Sequence, residues 1–225
     1  MDRTITALKV QKRNPNRVNV FLDSEYAFGV ARIVAAWLRV GQTLSEEKIA
    51  SLQEQDSHEV AFQRALQFLS YRPRSQAEVQ NKLTALGYAQ PVVEAVMQRL
   101  IQAKLVGDKE FSQLWVENRT TFRPRSRRVL SLELRQKGVE EQYIQDAIAG
   151  VEDEEALAYQ AAVQRAQRWS NMEWKDFRVK AGSFLARRGF SFDTIFPVVQ
   201  RLWSELHQDQ SNLSNENMDG RDQSK

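Results

Sequence analysis

Apolar positions fall two apart near the start of the chain and then change to a spacing of three and four. Ile5, Ala7 and Leu8 open one alternating run, Val18, Val20 and Leu22 a second, and Tyr26, Phe28 and Val30 a third. Asn14-Pro15-Asn16 and Asp23-Ser24-Glu25 separate these runs and are turn sequences. The pattern predicts a small antiparallel meander, too small to be a domain by itself and so in need of a surface to pack on. From Ala31 to Val40 the spacing turns helical, with Ile33, Val34, Trp37 and Leu38 on one side and Gly41 as the stop. Thr43 or Ser45 then caps a mostly polar helix with Glu46 and Glu47 in its first turn, where acidic groups favour the positive end of the helix dipole. That segment predicts a connector from the strands to an apolar helix beginning near Glu59.

Three helices follow in a plan that can be read residue by residue. Val60, Ala61, Ala65, Leu66, Phe68 and Leu69 make one amphipathic face, which ends before Pro73 because a residue preceding proline avoids the α region. Ser75 caps the second helix, with Glu78 three residues on as its capping-box partner. Val79, Leu83 and Leu86 form the predicted buried stripe, Gly87 ends the helix and Tyr88 folds back onto it. Pro91 suits the first turn of the third helix, which carries Val92, Val93, Val96, Met97 and Leu100.

The plan recurs with a period of 51 residues: Pro73 becomes Pro124, and Gly87 becomes Gly138 and then Gly189. Leu83, Leu134 and Leu185 share one repeat position; Val93, Ile144 and Ile195 share another; Met97, Ile148 and Val199 a third. Recurrence of apolar residues at fixed period marks one helical unit copied in tandem. In the second copy Phe111, Leu114 and Trp115 mark the first helix, Ser126, Leu130 and Leu134 the second, and Tyr143, Ile144, Ala147 and Ile148 the third. An acidic link, Glu152 to Glu155, opens the next copy. There Leu157, Ala161, Ala162, Ala166 and Trp169 precede Phe177, Ala181, Phe184 and Leu185, and Ile195, Val198, Val199 and Leu202 close it. This last copy lacks the Arg-Pro-Arg-Ser segment and has Trp174-Lys175-Asp176 near that place, as a divergent terminal repeat would. The fold class expected is mostly α: a tandem array of three three-helix repeats behind a small N-terminal antiparallel β extension. The divisions are 1–58, 59–108, 109–151 and 152–206, with the patternless polar stretch 207–225 expected as a disordered tail.

Composition narrows the class of function. The chain has 225 residues, 42% of them hydrophobic and 27% charged, which describes a foldable globular chain. It has no cysteine, so disulfide and thiolate chemistry are out. No apolar run approaches the roughly 20 residues of a membrane span, and the start MDRTITALKV lacks the apolar core of a signal peptide. These features read as cytosolic, and no heptad run suggests a dimer. Walker-type, GxGxxG, GxSxG and HExxH motifs are all missing. His58 and His207 have no catalytic or metal-binding partner in sequence, so no enzyme and no cofactor is expected.

Charge is what remains. The net charge is only +3, but Arg119 to Lys137 holds seven cations against Glu133, and Arg165 to Arg188 holds seven against Glu173 and Asp176. Such clusters are either solvated helix faces or the footprint of a polyanion or an acidic groove. The sharpest candidates are Arg72, Arg74, Arg123 and Arg125, which fall at equivalent inter-helix corners of successive repeats; their neighbours Pro and Ser have structural roles. Arg127, Arg128, Lys175, Arg178, Arg187 and Arg188 complete the candidate partner or DNA surface. The five tryptophans read mostly as core, with Trp174 beside Lys175 and Arg178 the one considered for partner contact.

The phrases ALQFLSYRPRSQAEVQNKLTALGY, VVEAVMQRLIQAKLVGDKEFSQLWVENR and FRPRSRRVLSLELRQKGV, in that order, resemble the RecX regulatory proteins of bacteria over roughly residues 59–203. The second corner, Arg123-Pro124-Arg125-Ser126, departs from the Gly-Pro form common in that family. The resemblance implies an array of three-helix units that lies in the groove of the RecA filament on DNA, blocks its growth or promotes its disassembly, and lowers its ATPase, strand-exchange and coprotease activities. It implies no catalytic site. Two other readings stay open at this point: autonomous binding of single- or double-stranded DNA through the basic helical faces, and a helical scaffold for another partner.

Overall fold

The computed structural model describes residues 2–151 and 153–219, with side chains as far as 208. The chain forms two compact units that part between Gly107 and Asp108.

In the first unit, strands β1 (Arg3–Val10), β2 (Arg17–Leu22), β3 (Glu25–Ala31) and β4 (Thr43–Leu44) form one antiparallel sheet in the order β3-β2-β1-β4. The three predicted runs are all strands; the two-residue β4 carried too little pattern to be read. A register shift between Ile5 and Ala7 accounts for the broken alternation of the first run. Asp23 and Ser24 both have positive φ, the twist a two-residue hairpin needs, and Asp23 Oδ1 accepts the Thr4 N–H at 3.0 Å.

The predicted helix from Ala31 to Val40 is corrected to one short 3-10 turn, Val34–Trp37. Leu38 is buried there, but Ile33 is 62% and Trp37 88% exposed, so the expected apolar face does not form. Nine residues between a strand and a glycine are too few to propagate a helix without a packed stripe. The connector is also corrected: Glu46–Leu69 is one continuous helix, α1, of 24 residues, capped by Ser45, whose hydroxyl accepts from the Lys48 amide. Nothing between His58 and Glu59 breaks it, so the boundary expected there falls inside a helix.

Ile5, Val20, Leu22, Val30 and Leu44 bury one face of the sheet with Leu52 of α1. A carboxylate fastens the two. Asp56 Oδ1 accepts the Ala31 N–H at 2.6 Å, and its Oδ2 accepts Arg17 Nη2 at 2.8 Å. The same Arg17 nitrogen donates to Gly29 O at 2.7 Å. Asp56→Ala strands both the amide and the half-buried guanidinium, and is expected to cost about 2–3 kcal/mol, read as a lower urea midpoint at unchanged m-value.

The first three-helix repeat consists of the second half of α1, α2 (Gln76–Ala85) and α3 (Gln90–Gln102). Ser75 and Glu78 form the capping box as expected, and Tyr88 N donates to Leu83 O, the fold-back bond at the helix end. Val79 and Leu83 are fully buried; Leu86, placed on the same stripe, is 47% exposed because it is the C-cap. Arg99 of α3 lies 3.6 Å over the Phe62 ring and pairs with the buried Glu59 at 2.7 Å, joining α3 to α1.

The second unit holds two repeats: α4 (Asp108–Phe122), α5 (Arg127–Gln136) and α6 (Glu141–Ala149), then α7 (Glu154–Ala166), α8 (Trp174–Ala186) and α9 (Phe192–Asp219). They share one core in which Leu130, Leu134, Ile144, Leu157, Phe177 and Leu185 are fully buried. Helix α8 starts one turn earlier than its counterpart α5, because Trp174-Lys175-Asp176-Phe177 replaces Arg-Pro-Arg-Ser there and has no proline to hold the chain out of the helix. Trp174 stands at that start and packs on Phe177 and on Trp203, centroids 6.5 and 5.4 Å apart, so it belongs to the core and not to a partner face.

The tail expected as disordered from residue 207 is helical as far as Asp219; residues 220–225 lie outside the described residues. No Pro or Gly intervenes before Gly220, and polar residues cost a packed helix only fractions of a kcal/mol each to extend, at most about 0.7. His207, taken as the beginning of that tail, stacks on Trp203 within α9 at 3.8 Å between centroids.

Candidate functional site

The two Arg-Pro-Arg-Ser corners share a backbone plan and differ in how their arginines are paired. In the first, the forked guanidinium of Arg72 takes both oxygens of Glu78, at 2.8 and 3.3 Å. Arg74 lies 4.0 Å over the Phe68 ring, where burial and the nearby Arg72 push its pKa down from the ordinary arginine range. Both arginines have contacts inside their own repeat, although Arg72 remains exposed.

Three substitutions at equivalent positions change the second corner. Glu78 is replaced by Val129, Phe68 by Arg119 and Lys82 by Glu133. Arg123, the counterpart of Arg72, thereby loses its carboxylate. It is exposed and has no ion pair among the described residues. Arg125 turns instead to Glu133, which also accepts Arg119 Nε at 2.9 Å and Trp115 Nε1 at 2.8 Å. Arg125 and Arg119 thus hold one carboxylate between them, leaving a surplus of positive charge.

The third repeat adds to that surplus. The turn after α8 docks on the second corner: Ser126 N–H donates to Arg188 O at 3.1 Å. Gly189 makes this approach possible. Its φ is +88°, and a Cβ there would lie 2.2 Å from Val129 Cγ2 and 2.7 Å from Ser126 Oγ. A second link joins the same repeats, since the Arg127 amide donates to Glu154 at 2.7 Å and its guanidinium to Val151 O at 2.6 Å. Arg127 thereby ties the second repeat to the third.

The docking forms an open cleft of about 650 Å³ lined by Arg123, Arg125, Arg165, Arg187 and Arg188, with no carboxylate in its wall. Arg188 is held 3.9 Å over the buried Phe184 ring, which Arg165 approaches at 5.9 Å from the ring centre. Burial, then repulsion from Arg125, Arg165 and Arg187, pushes the Arg188 pKa down. Like charges are gathered here at a cost to the fold, the reverse of what a solvated helix face shows. Phe122, at the lip, is 74% exposed, as is its repeat counterpart Tyr71.

Of the ten sequence candidates, the cleft brings together Arg123, Arg125, Arg187 and Arg188. Arg128, Lys175 and Arg178 are exposed elsewhere on the second unit. Arg165 and Phe122 were not among the candidates. Phe122 was legible as a corner aromatic recurring 51 residues after Tyr71; Arg165 had no such signal, because only the docking of α7 against the corner brings it there. Among the described residues, no group of three or more His, Cys, Asp or Glu is placed to hold a metal ion, and no helix is long and apolar enough to cross a membrane.

Comparison with known proteins decides the family. Models of four RecX segments match the chain in order: the N-terminal domain of regulatory protein RecX at 3–45, and the first, second and third three-helix domains at 61–100, 108–148 and 152–199. The chain belongs to the RecX family. It is 33% identical to regulatory protein RecX of Bacillus subtilis (strain 168) over 209 residues, 91% of this chain and 79% of that protein. It is 31% identical to regulatory protein RecX of Lactobacillus gasseri over 210 residues, 92% and 77% of the two. Among solved structures, a crystal structure of regulatory protein RecX aligns at a TM-score of 0.68 and 27% identity, covering 88% of this chain and 99% of that one. RecX from Lactobacillus salivarius aligns at 0.56 and 26%, covering 66% and 97%. The RecX family is one of regulatory proteins by name, and the N-terminal sheet and three helical repeats described above correspond to its four segments.

Proposed function

We propose that this chain regulates the RecA recombinase by lying in the groove of the DNA-bound RecA filament, blocking filament growth or promoting disassembly. RecA ATPase, strand exchange and coprotease activity all fall as a consequence. On this reading the protein acts as a cytoplasmic monomer and by occupation alone, with no chemistry of its own. Membership of the RecX family across all four of its segments is the observation that carries the reading. The structure adds cations that have no partner within the fold and so are available to one outside it: Arg123, Arg128, Lys175, Arg178 and Arg187 are exposed and unpaired among the described residues. A second reading, direct nucleic-acid binding, is favoured by the cleft, because its wall has no carboxylate.

The test is RecA ATPase on single-stranded DNA, with this protein added at well below one per RecA subunit. Inhibition at such ratios is expected, with the double variant Arg123→Ala, Arg187→Ala needing about tenfold more protein for the same effect. Inhibition untouched by that variant keeps the function and rejects these contacts. No inhibition at any ratio, together with salt-sensitive binding to bare DNA, favours the second reading.

A further inference from the structure

The arginine cleft has a composition that selects its ligand. Five guanidinium groups surround about 650 Å³, a volume within the range of sites for small ligands. A single carboxylate satisfies one arginine fork; a phosphoryl group presents several oxygens at once and suits several forks together. Arg123, Arg165 and Arg187 have no ion pair among the described residues, while Arg188 is fixed in place by Phe184. Phe122 adds a feature that charge alone does not explain. It is a phenyl ring left 74% in solvent at the lip of a polar cleft, next to Arg123 in sequence, with Gln160 and Gln164 also in the wall. An exposed aromatic face beside arginines is what a nucleobase stacks on, and glutamine side chains can both donate to and accept from a base edge.

We infer that the cleft between the second and third repeats is a nucleotide site, with the phosphoryl group held by Arg123, Arg187 and Arg188 and the base stacked on Phe122. The first repeat carries no such site. Its Tyr71 is equally exposed, but Glu78 takes the fork of Arg72, the counterpart of Arg123. The nucleotide is supplied either by a single strand passing through the cleft or by a free nucleoside polyphosphate. The site does not rest on the RecA reading, and its test contains no recombinase.

The full chain is titrated against a fluorescein-labelled twelve-residue oligothymidylate by anisotropy, and against ATP carrying a fluorescent ribose label by emission. Phe122→Ala and Arg187→Ala are each expected to weaken binding about tenfold, and neither side chain is needed by the core. Arg168→Ala, which removes an exposed cation of the same unit outside the cleft, is expected to leave binding unchanged. For the oligonucleotide, Arg187→Ala is also expected to flatten the log–log salt dependence by about 0.7. Displacement of both probes by unlabelled ATP identifies a free nucleotide as the ligand; binding of the oligonucleotide alone identifies the strand. The inference is overturned if neither probe binds, or if Arg168→Ala weakens binding as much as Arg187→Ala. It is equally overturned if Phe122→Ala has no effect while tripolyphosphate or polyglutamate displaces the probe as well as ATP does, since the cleft then reads charge and no base.

Discussion

Gly189→Ala is expected to destabilise the second unit by about 2–4 kcal/mol. Two effects combine. The left-handed backbone at φ +88° costs a residue with a Cβ about 1 kcal/mol, and the new methyl would sit 2.2 Å from Val129 Cγ2 in a packed joint. Val129 is β-branched and on a helix, so its rotamer gives way poorly. The measurement is a denaturant melt followed by tryptophan fluorescence, because Trp115, Trp169, Trp174 and Trp203 all lie in the second unit. Gly87→Ala is the control, read by far-UV circular dichroism because Gly87 lies in the first unit: φ is +86°, but a Cβ there meets nothing within 4 Å. It should cost only about 1 kcal/mol. Equal costs at the two glycines would show that close approach to Val129 is not what distinguishes Gly189. The same change is expected to open the arginine cleft, since Arg187 and Arg188 reach the second corner only through that turn.

Glu133→Ala is expected to cost about 2–4 kcal/mol, for a different reason. Its carboxylate is 13% exposed and holds Trp115 Nε1, Arg119 Nε and Arg125 Nη1 together. Its removal leaves an indole N–H and two partly buried guanidinium groups without their acceptor, among further cations at Arg188 and Lys137. Glu133→Gln keeps an oxygen for Trp115 and loses the charge, and should fall between wild type and Ala. A Gln variant as stable as wild type would show that the hydrogen bonds matter and the ion pairs do not. Thermal melts of the three proteins decide it, with a drop of several degrees expected for Ala.

Much of the helical plan was legible because it rests on local rules. Ser75 with Glu78, Ser126, and the glycines at the ends of the second helices act through bonds to residues three or four away, and those spacings are visible in the sequence. The failures lie where local pattern was ambiguous. Trp37 fell at helical spacing with Ile33, Val34 and Leu38, yet the segment is too short and too poorly covered to be a helix, and its indole is 88% exposed. Trp174 looked like a platform because its neighbours are basic; the fold turned it onto Phe177 and Trp203.

The arginines show the limit most plainly. Nine, with Lys175, were candidates by charge and repeat position, and nothing in that pattern separates a guanidinium held by Glu78, Glu133 or a backbone carbonyl from one left to solvent. The repeat alignment did contain one usable signal, the loss of a carboxylate between Glu78 and Val129, which releases Arg123.

The sequence by itself determined the class of fold, the number of repeats and the caps and stops of the repeat helices, because these are properties of neighbouring residues, while the family was legible as a resemblance of whole phrases. Only the tertiary structure decided which arginines are free and where they gather. Arg123 and Arg188 are 65 positions apart in the chain and share a cleft solely because Gly189 lets one turn settle on the Ser126 corner. Long-range electrostatics depends on distances through space, and one-dimensional order does not contain them.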